Sequence, residues 1–163
     1  IAKQYGIAVF ADNREAVSRV DVVVLAVKPQ IMQATAVSLR NAVLGRGCLI
    51  ISVAAGIRLS ALAAWLGDAA AIVRVMPNTP AIIQTGASAL YANSCVTPAQ
   101  KETAEAIMRS VGTAIWLADE LMMDAVTALS GSGPAYFFLV MEIMEKAAIS
   151  LGMTQNQAHL LTL

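Results

Sequence analysis

Short apolar runs alternate with mixed polar segments along the first 118 residues of the chain. Runs rich in Val, Ile, Leu and Ala, apolar on both faces, cover residues 7–10, 21–27, 48–55 and 71–76. This pattern is typical of strands that are buried on both sides in a parallel sheet. Two later runs, at residues 87–93 and 112–118, predict an edge strand and a last strand.

Helix-like segments separate these runs. They cover residues 14–19, 30–43, 59–66 and 98–110. Ser60 is a possible cap for the third helix. Thr97 and Pro98 form the start signal of the fourth, because Thr accepts backbone hydrogen bonds and Pro fits the first helical position. Strands and helices in alternation predict an α/β fold with right-handed crossovers.

The pattern changes after Asp119, where the strands stop. Residues 120–129 and 134–151 have helical character, and a flexible Gly/Ser loop is predicted between them. Gly152 ends the second helix, and Thr154 begins another. The last part of the chain is therefore predicted to be helical only.

The stretch ALSGSGPAYFF lies where the pattern changes, and it suits either a phosphate cradle or a joint between domains. A phosphate cradle needs a strand before the loop and a lysine within it. Here the preceding segment is helical and the lysine is absent. We therefore interpret the stretch as a joint, with a domain boundary near residues 118–133.

The helix after the joint is apolar nearly all round. Phe138, Leu139 and Ile143 lie outside its main stripe, which comprises Phe137, Val140, Met141, Met144, Ala148 and Leu151. A helix of this kind must be enclosed, and we expect a partner subunit to enclose it. The composition agrees, because only 13% of the residues are charged, against a usual fraction of about 25%.

The formal net charge is zero, which argues against binding of nucleic acid or of an anionic membrane. The charge-free window between Asp124 and Glu142 contains two glycines and a proline, so no membrane-spanning helix is predicted. Cys48 and Cys95 fit reduced thiols of a cytoplasmic protein better than a disulfide or a metal site. The sequence begins without Met and ends within a predicted helix, so we expect a longer natural chain.

Candidate chemistry lies at the strand ends, where ligands of open parallel sheets bind. Asn13 would approach an adenosine ribose there, although a helix cap formed by Asp12 and Asn13 is favoured on pattern alone. Lys28 can meet a phosphate as a point charge, although an isolated lysine is more often simply solvated. Ala54 and Ala55 permit close approach of a flat ring, and a tight turn explains them equally well.

Glu120 and Asp124 are candidates at the joint, because they lie four residues apart on one face of a predicted helix. A carboxylate at this place can hold a substrate amine or iminium. A solvated helix face is the commoner reason for such a pair. His159 has no second ligand or nucleophile in evidence and receives no role.

Four motifs occur in the order and spacing of one enzyme family. They are LAVKPQ, SVAAGI, RVMPNTPA and DAVTALSGSGPAY, at residues 25–30, 52–57, 74–81 and 124–136. In these motifs the chain resembles the pyrroline-5-carboxylate reductases, and the resemblance extends over essentially the whole sequence. It implies the last step of proline synthesis, in which NADPH, or NADH, gives a hydride to the C=N carbon of 1-pyrroline-5-carboxylate and L-proline forms.

The resemblance implies a Rossmann-like NAD(P)-binding domain of the α/β class over residues 1–118, followed by the start of an all-helical dimerisation domain over residues 119–163. It also implies a homo-oligomer built from dimers. Glu120 matches a position that contacts the substrate, and no catalytic residue is assigned. The implied cofactor-binding residues are Asn13, Ala26, Val27, Lys28, Pro29, Val53, Ala54 and Ala55.

Two elements of the family are absent from the sequence: a G-x-G-x-x-G strand and helix, and a Ser-Pro-Gly-Gly-Thr-Thr loop. In the family that loop holds the substrate carboxylate from the partner subunit. We therefore expect residues 1–163 alone to be inactive.

Two other functions are compatible with parts of the pattern. A reductase of the β-hydroxyacid dehydrogenase type has a catalytic lysine on the helix after the joint, but here no lysine occurs there before Lys146. A non-catalytic nucleotide-sensing module would also suit the apolar helix. The strand ends, Glu120 and the joint motif occur together, and this combination favours the reductase.

Overall fold

The computed structural model describes residues 2–163 and contains a five-stranded sheet. The strands are β1 (Val22–Leu25), β2 (Leu49–Ser52), β3 (Ala71–Met76), β4 (Gly86–Ala92) and β5 (Gly112–Trp116), and they lie side by side in chain order. The first three strands are parallel to one another. β4 runs antiparallel to β3, and β5 is parallel to β4.

Eight α-helices accompany the sheet in the described residues. They are α1 (Ala2–Tyr5), α2 (Asn13–Val17), α3 (Pro29–Arg46), α4 (Leu59–Leu66), α5 (Pro98–Arg109), α6 (Met122–Val126), α7 (Gly133–Ser150) and α8 (Gln155–Thr162). A short 3₁₀ helix, Thr79–Ile83, lies between β3 and β4. Helices α5 and α8 each begin with a capping box, formed by Thr97 with Gln100 and by Thr154 with Gln157.

Helices cover both faces of the sheet, which explains the continuous apolar runs. Ile50 and Ile72 point to the face that α3 and α4 cover, whereas Ile51 and Val73 point to the face that α5 covers. Every residue of β2 is buried. Because both faces of β2 and β3 are enclosed, the sequences of these strands do not alternate between apolar and polar residues.

The strand prediction for residues 7–10 is wrong. These residues form no strand, and the side chains of Ile7 and Val9 are exposed. A β-branched run becomes a strand only when a neighbour pairs with it, and none of the described strands does so. The edge position predicted for residues 87–93 is also wrong, because α5 carries the chain across β4 and places β5 outside it.

The cap predicted at Ser60 is wrong as well. Ser60 lies inside α4, and the N-cap residue is Arg58, which makes no side-chain capping bond. The amide of Leu59 donates instead to Oε1 of Glu120, at 2.7 Å. Sequence spacing could not predict this, because the cap is 61 residues away along the chain.

The Gly/Ser stretch is helical rather than a loop. A π-helical turn, Thr127–Gly131, connects α6 to α7, and Ser132 N–H donates to Thr127 O at 2.8 Å. The hydroxyl groups of Thr127 and Ser130 donate to carbonyl groups of the preceding turn. These bonds keep small polar residues inside the helical path, where sequence propensity predicts a break.

The helical part after β5 is poorly covered by its own chain. In α7, Gly133 is the only buried residue. Among the described residues, one segment, Met122–Ser150, is long and apolar enough to cross a membrane by those criteria alone. Only 6% of its most apolar window is buried. A helix that packs against another subunit has the same composition, so this is weak evidence for a membrane.

Candidate functional site

Two neighbouring strand ends form a platform of small residues at the carboxyl edge of the sheet. Leu25 and Ser52 pair in register, and Val53 N–H donates to Leu25 O at 3.3 Å. The segments that follow, residues 26–28 and 53–55, therefore lie side by side. Six of the eight sequence-predicted cofactor residues lie in them. At such an edge a ligand meets backbone and small side chains from both strands.

Asn13 lies next to this platform. It is the first residue of α2, and it lines a cavity of about 200 Å³ together with Ala26 and Val27. Asp12 is the cap of α2 and accepts from Arg14 N–H. Its side chain also pairs with the Arg14 guanidinium, and these bonds lower the pKa of Asp12. The cap and the cavity wall are thus formed by two adjacent residues.

Lys28 and Pro29 start the longest helix that packs on the sheet. Lys28 is the N-cap of α3 and Pro29 its first residue, and both are exposed. The amides of the first turn of a helix and its dipole favour an anion at this end. The exposed lysine adds a positive charge there, so this corner suits a phosphate-bearing ligand.

A second cavity, of about 320 Å³, lies between α4 and the segment before α6. Five charged side chains line this cavity. Its lining residues are Arg58, Ser60, Arg74, Tyr91, Asp119, Glu120, Leu121 and Asp124. Glu120 and Asp124 therefore line the same cavity. The sequence predicted both on one face of a helix, but α6 begins at Met122, so Glu120 precedes it.

Glu120 forms two contacts through one oxygen atom. Its Oε1 accepts from Leu59 N–H at 2.7 Å and from Arg74 Nη1 at 2.9 Å. The side chain of Arg74 is only 5% exposed, and that of Glu120 is 22% exposed. Sequence reasoning missed Arg74. The available signal was an arginine in the apolar run AIVRVM, because buried arginines are nearly always paired.

The motif RVMPNTPA, at the end of β3 and in the turn that follows, contacts the joint. Asn78 Oδ1 accepts from Ala87 N–H at 2.8 Å, which fixes the turn into β4. A methyl group added to Gly131 would come within 2.5 Å of Met76 Cε, so the two motifs are packed against each other. At Gly131 the close neighbour is the flexible end of the Met76 side chain.

The fold and these sites define a class of protein. A mostly parallel sheet, with small residues at adjacent strand ends beside a helix N-terminus, is a dinucleotide-binding domain of the Rossmann type. It continues directly into a helical segment with an uncovered apolar surface. The prediction of an α/β Rossmann-like fold with helices after it is confirmed.

Comparison with known proteins points to one enzyme family. Residues 120–163 match the family model described as pyrroline-5-carboxylate reductase dimerisation. Residues 1–56 match the model described as NADP oxidoreductase coenzyme F420-dependent. The chain is 52% identical over its full length to a pyrroline-5-carboxylate reductase of Pseudomonas aeruginosa, and covers 59% of that protein. Together these matches support membership of the chain in the pyrroline-5-carboxylate reductase family.

Solved structures agree with this assignment. A pyrroline-5-carboxylate reductase from Coxiella burnetii superposes with a TM-score of 0.91 at 44% identity, over 99% of this chain and 60% of that one. An enzyme from Plasmodium falciparum with NADP bound gives 0.88 at 30% identity, over 94% and 57%. The sequence thus spans less than two thirds of the relatives that it matches.

Proposed function

We propose that the complete protein is a pyrroline-5-carboxylate reductase, an NAD(P)H-dependent oxidoreductase that acts on a C=N bond. The proposal rests on one observation. The platform and the Glu120 cavity occur together in a chain that matches this family. The platform ends at Ala55, and the cavity wall begins at Arg58. A cofactor ring on the platform would therefore lie near a substrate in the cavity, and such orientation lowers the barrier to hydride transfer.

We propose NADPH, or NADH, as the cofactor, which supplies the hydride. Asn13 would lie near the adenosine ribose, whereas Ala26, Val27, Lys28 and Pro29 would line the cofactor at the start of α3. Val53, Ala54 and Ala55 would lie beneath the nicotinamide end. The support is geometric, since these residues come from parallel neighbouring strands and the helix that follows β1.

For the substrate, we propose that Glu120 favours the protonated imine. A carboxylate stabilises a nearby cation, and a protonated C=N bond accepts hydride more readily. Oε1 is already bonded to Leu59 and Arg74, so Oε2 is the atom for this role. No residue of this chain is assigned as a general acid.

We propose a domain boundary between residues 118 and 119, and a homo-oligomer built from dimers through the helical segment. Support comes from the exposed apolar side chains of α7, including Phe137, Val140 and Met144. Such a surface is expected to pack against a second copy. A cytoplasmic location is part of the same proposal, since Cys48 and Cys95 are free thiols.

The test is NADPH oxidation by the complete, untruncated protein, with and without 1-pyrroline-5-carboxylate. Substrate-dependent oxidation is expected, and Glu120→Ala should lower kcat/KM about 100-fold. Glu102→Ala is the matched control, because Glu102 is exposed on α5 away from both cavities. Cofactor binding without turnover would contradict the proposal and would favour a nucleotide-sensing module.

A further inference from the structure

Arg74 occupies an unusual position for a charged residue. It lies within β3, between Ser52 of β2 and Tyr91 of β4, and is 4% exposed. A guanidinium in this environment is unfavourable unless a partner neutralises it. The partner is Glu120, whose Oε1 lies 2.9 Å from Arg74 Nη1. The sheet interior is thereby connected to the segment that leads into the helical part.

The same oxygen also completes a helix. The N-cap residue Arg58 makes no side-chain bond to α4, and Leu59 N–H donates to Glu120 Oε1. A carboxylate at a helix N-terminus is favoured by the unpaired amides and by the helix dipole. One atom of Glu120 thus joins β3, α4 and the segment before α6.

The two hydrogen bonds to Oε1 also restrict the position of Oε2 of Glu120. Within residues 2–163, each hydrogen bond that Glu120 accepts through its side chain reaches Oε1. The carboxylate plane is restrained by two donors of different origin, one on a strand and one on a helix. Oε2 is consequently left for the cavity, at a position that the nucleotide domain determines.

We propose that Arg74 is a positioning residue for Glu120. It acts by holding Oε1, so that Oε2 keeps one orientation towards the substrate. Its effect on substrate depends on the proposed function, whereas the coupling of Arg74 to Glu120 can be measured without it. Direct binding of a substrate carboxylate by Arg74, which also lines the cavity, is the competing role.

The experiment uses the complete protein and the variants Arg74→Gln, Arg74→Lys and Glu120→Gln. Arg109→Gln is the matched control, since it removes an exposed arginine that pairs with Glu105. For Arg74→Gln, we expect the cofactor Kd to stay unchanged and kcat/KM for 1-pyrroline-5-carboxylate to fall roughly 10- to 100-fold, because small misplacements have effects of this size. Arg74→Lys should recover part of the loss, since a single contact of Arg74 is made through Nη1.

A double-mutant cycle in urea completes the test and needs no activity. We expect the effects of Arg74→Gln and Glu120→Gln on unfolding to be strongly non-additive, because each substitution removes one of the two opposite charges of the pair. Additive effects, or a kinetic loss no greater than that of Arg109→Gln, would overturn the proposal. A kinetic loss with additive stability effects would assign Arg74 to the substrate itself. If the wild-type protein lacks turnover, the cycle still decides the coupling.

Discussion

The sheet and the helical segment after it solve the problem of burial in opposite ways. In the sheet, Ile50, Ile51 and Ile72 are fully buried by helices of the same chain. In α7, Phe137 is 72% exposed and Leu139 is 57% exposed. Apolar area removed from water stabilises a fold by about 25 cal/mol per Å². The sheet obtains this contribution within one chain, whereas the helical segment requires a second surface.

This difference teaches that similar hydrophobicity in a sequence can serve two purposes. Both regions have long apolar runs, and only the packing distinguishes a core from an interface. A substitution in each region should therefore respond differently to protein concentration. Paired substitutions, one in each region, test the distinction.

The largest effect is expected for Ile72→Ala in β3. It should lower the free energy of unfolding by about 2–5 kcal/mol, independent of protein concentration, because it leaves a cavity between β3 and α4. Phe137→Ala should instead have an effect that grows with concentration, since the ring is exposed in the single chain. Urea unfolding of the complete protein at two concentrations measures both. A concentration-independent loss for Phe137→Ala would show that α7 is covered within its own chain.

The next largest effect on stability is expected from substitution of a glycine in the sheet, compared with one in the joint. Gly112→Ala should destabilise the protein by about 1–3 kcal/mol or more. Its φ of 146° disfavours a side chain, and the added methyl would lie 2.0 Å from Gly86 O. Gly131→Ala should stay within about 1 kcal/mol of wild type, because Met76 Cε is the mobile end of a side chain and Ala favours a helix. Thermal unfolding compares them, and equal losses would mean that the joint is as rigid as the sheet.

The smallest effect concerns the two capping boxes. Thr97→Ala should cost about 1 kcal/mol in unfolding of the sheet domain, because α5 packs on the sheet. Thr154→Ala removes the same motif from α8. It should speed hydrogen exchange of the α8 amides and leave the exchange of β2 amides unchanged. Faster exchange of the β2 amides after Thr154→Ala would indicate that α8 unfolds together with the sheet.

Much of this molecule could be predicted from its sequence. Apolar runs gave β1, β2 and β3, because strands covered on both faces need no polar alternation. The start signal at Thr97 and Pro98 gave the beginning of α5. The strand predicted at residues 7–10 is wrong, because strand formation depends on a neighbouring strand and an apolar run in the sequence does not show one.

The site was harder to predict than the fold. Strand-end reasoning selected Asn13, Ala26 and Val27, and the structure places them around one cavity. It could not find the bond between Arg74 and Glu120, because these residues are 46 positions apart and only the folded sheet brings them together. The cofactor and substrate roles of the candidate residues stay predictions.

The π turn at Thr127–Gly131 determines which way the side chains of α7 face around the helix axis. Its wider spacing places one more residue in the turn than an α-helix would. One residue fewer would rotate every later side chain by about 100° around the helix axis. The apolar stripe of α7 would then face a different direction, while the composition of the helix stayed nearly the same. In the proposed dimer, the fit between two copies of this chain would thus depend on the number of residues in the joint as well as on their type.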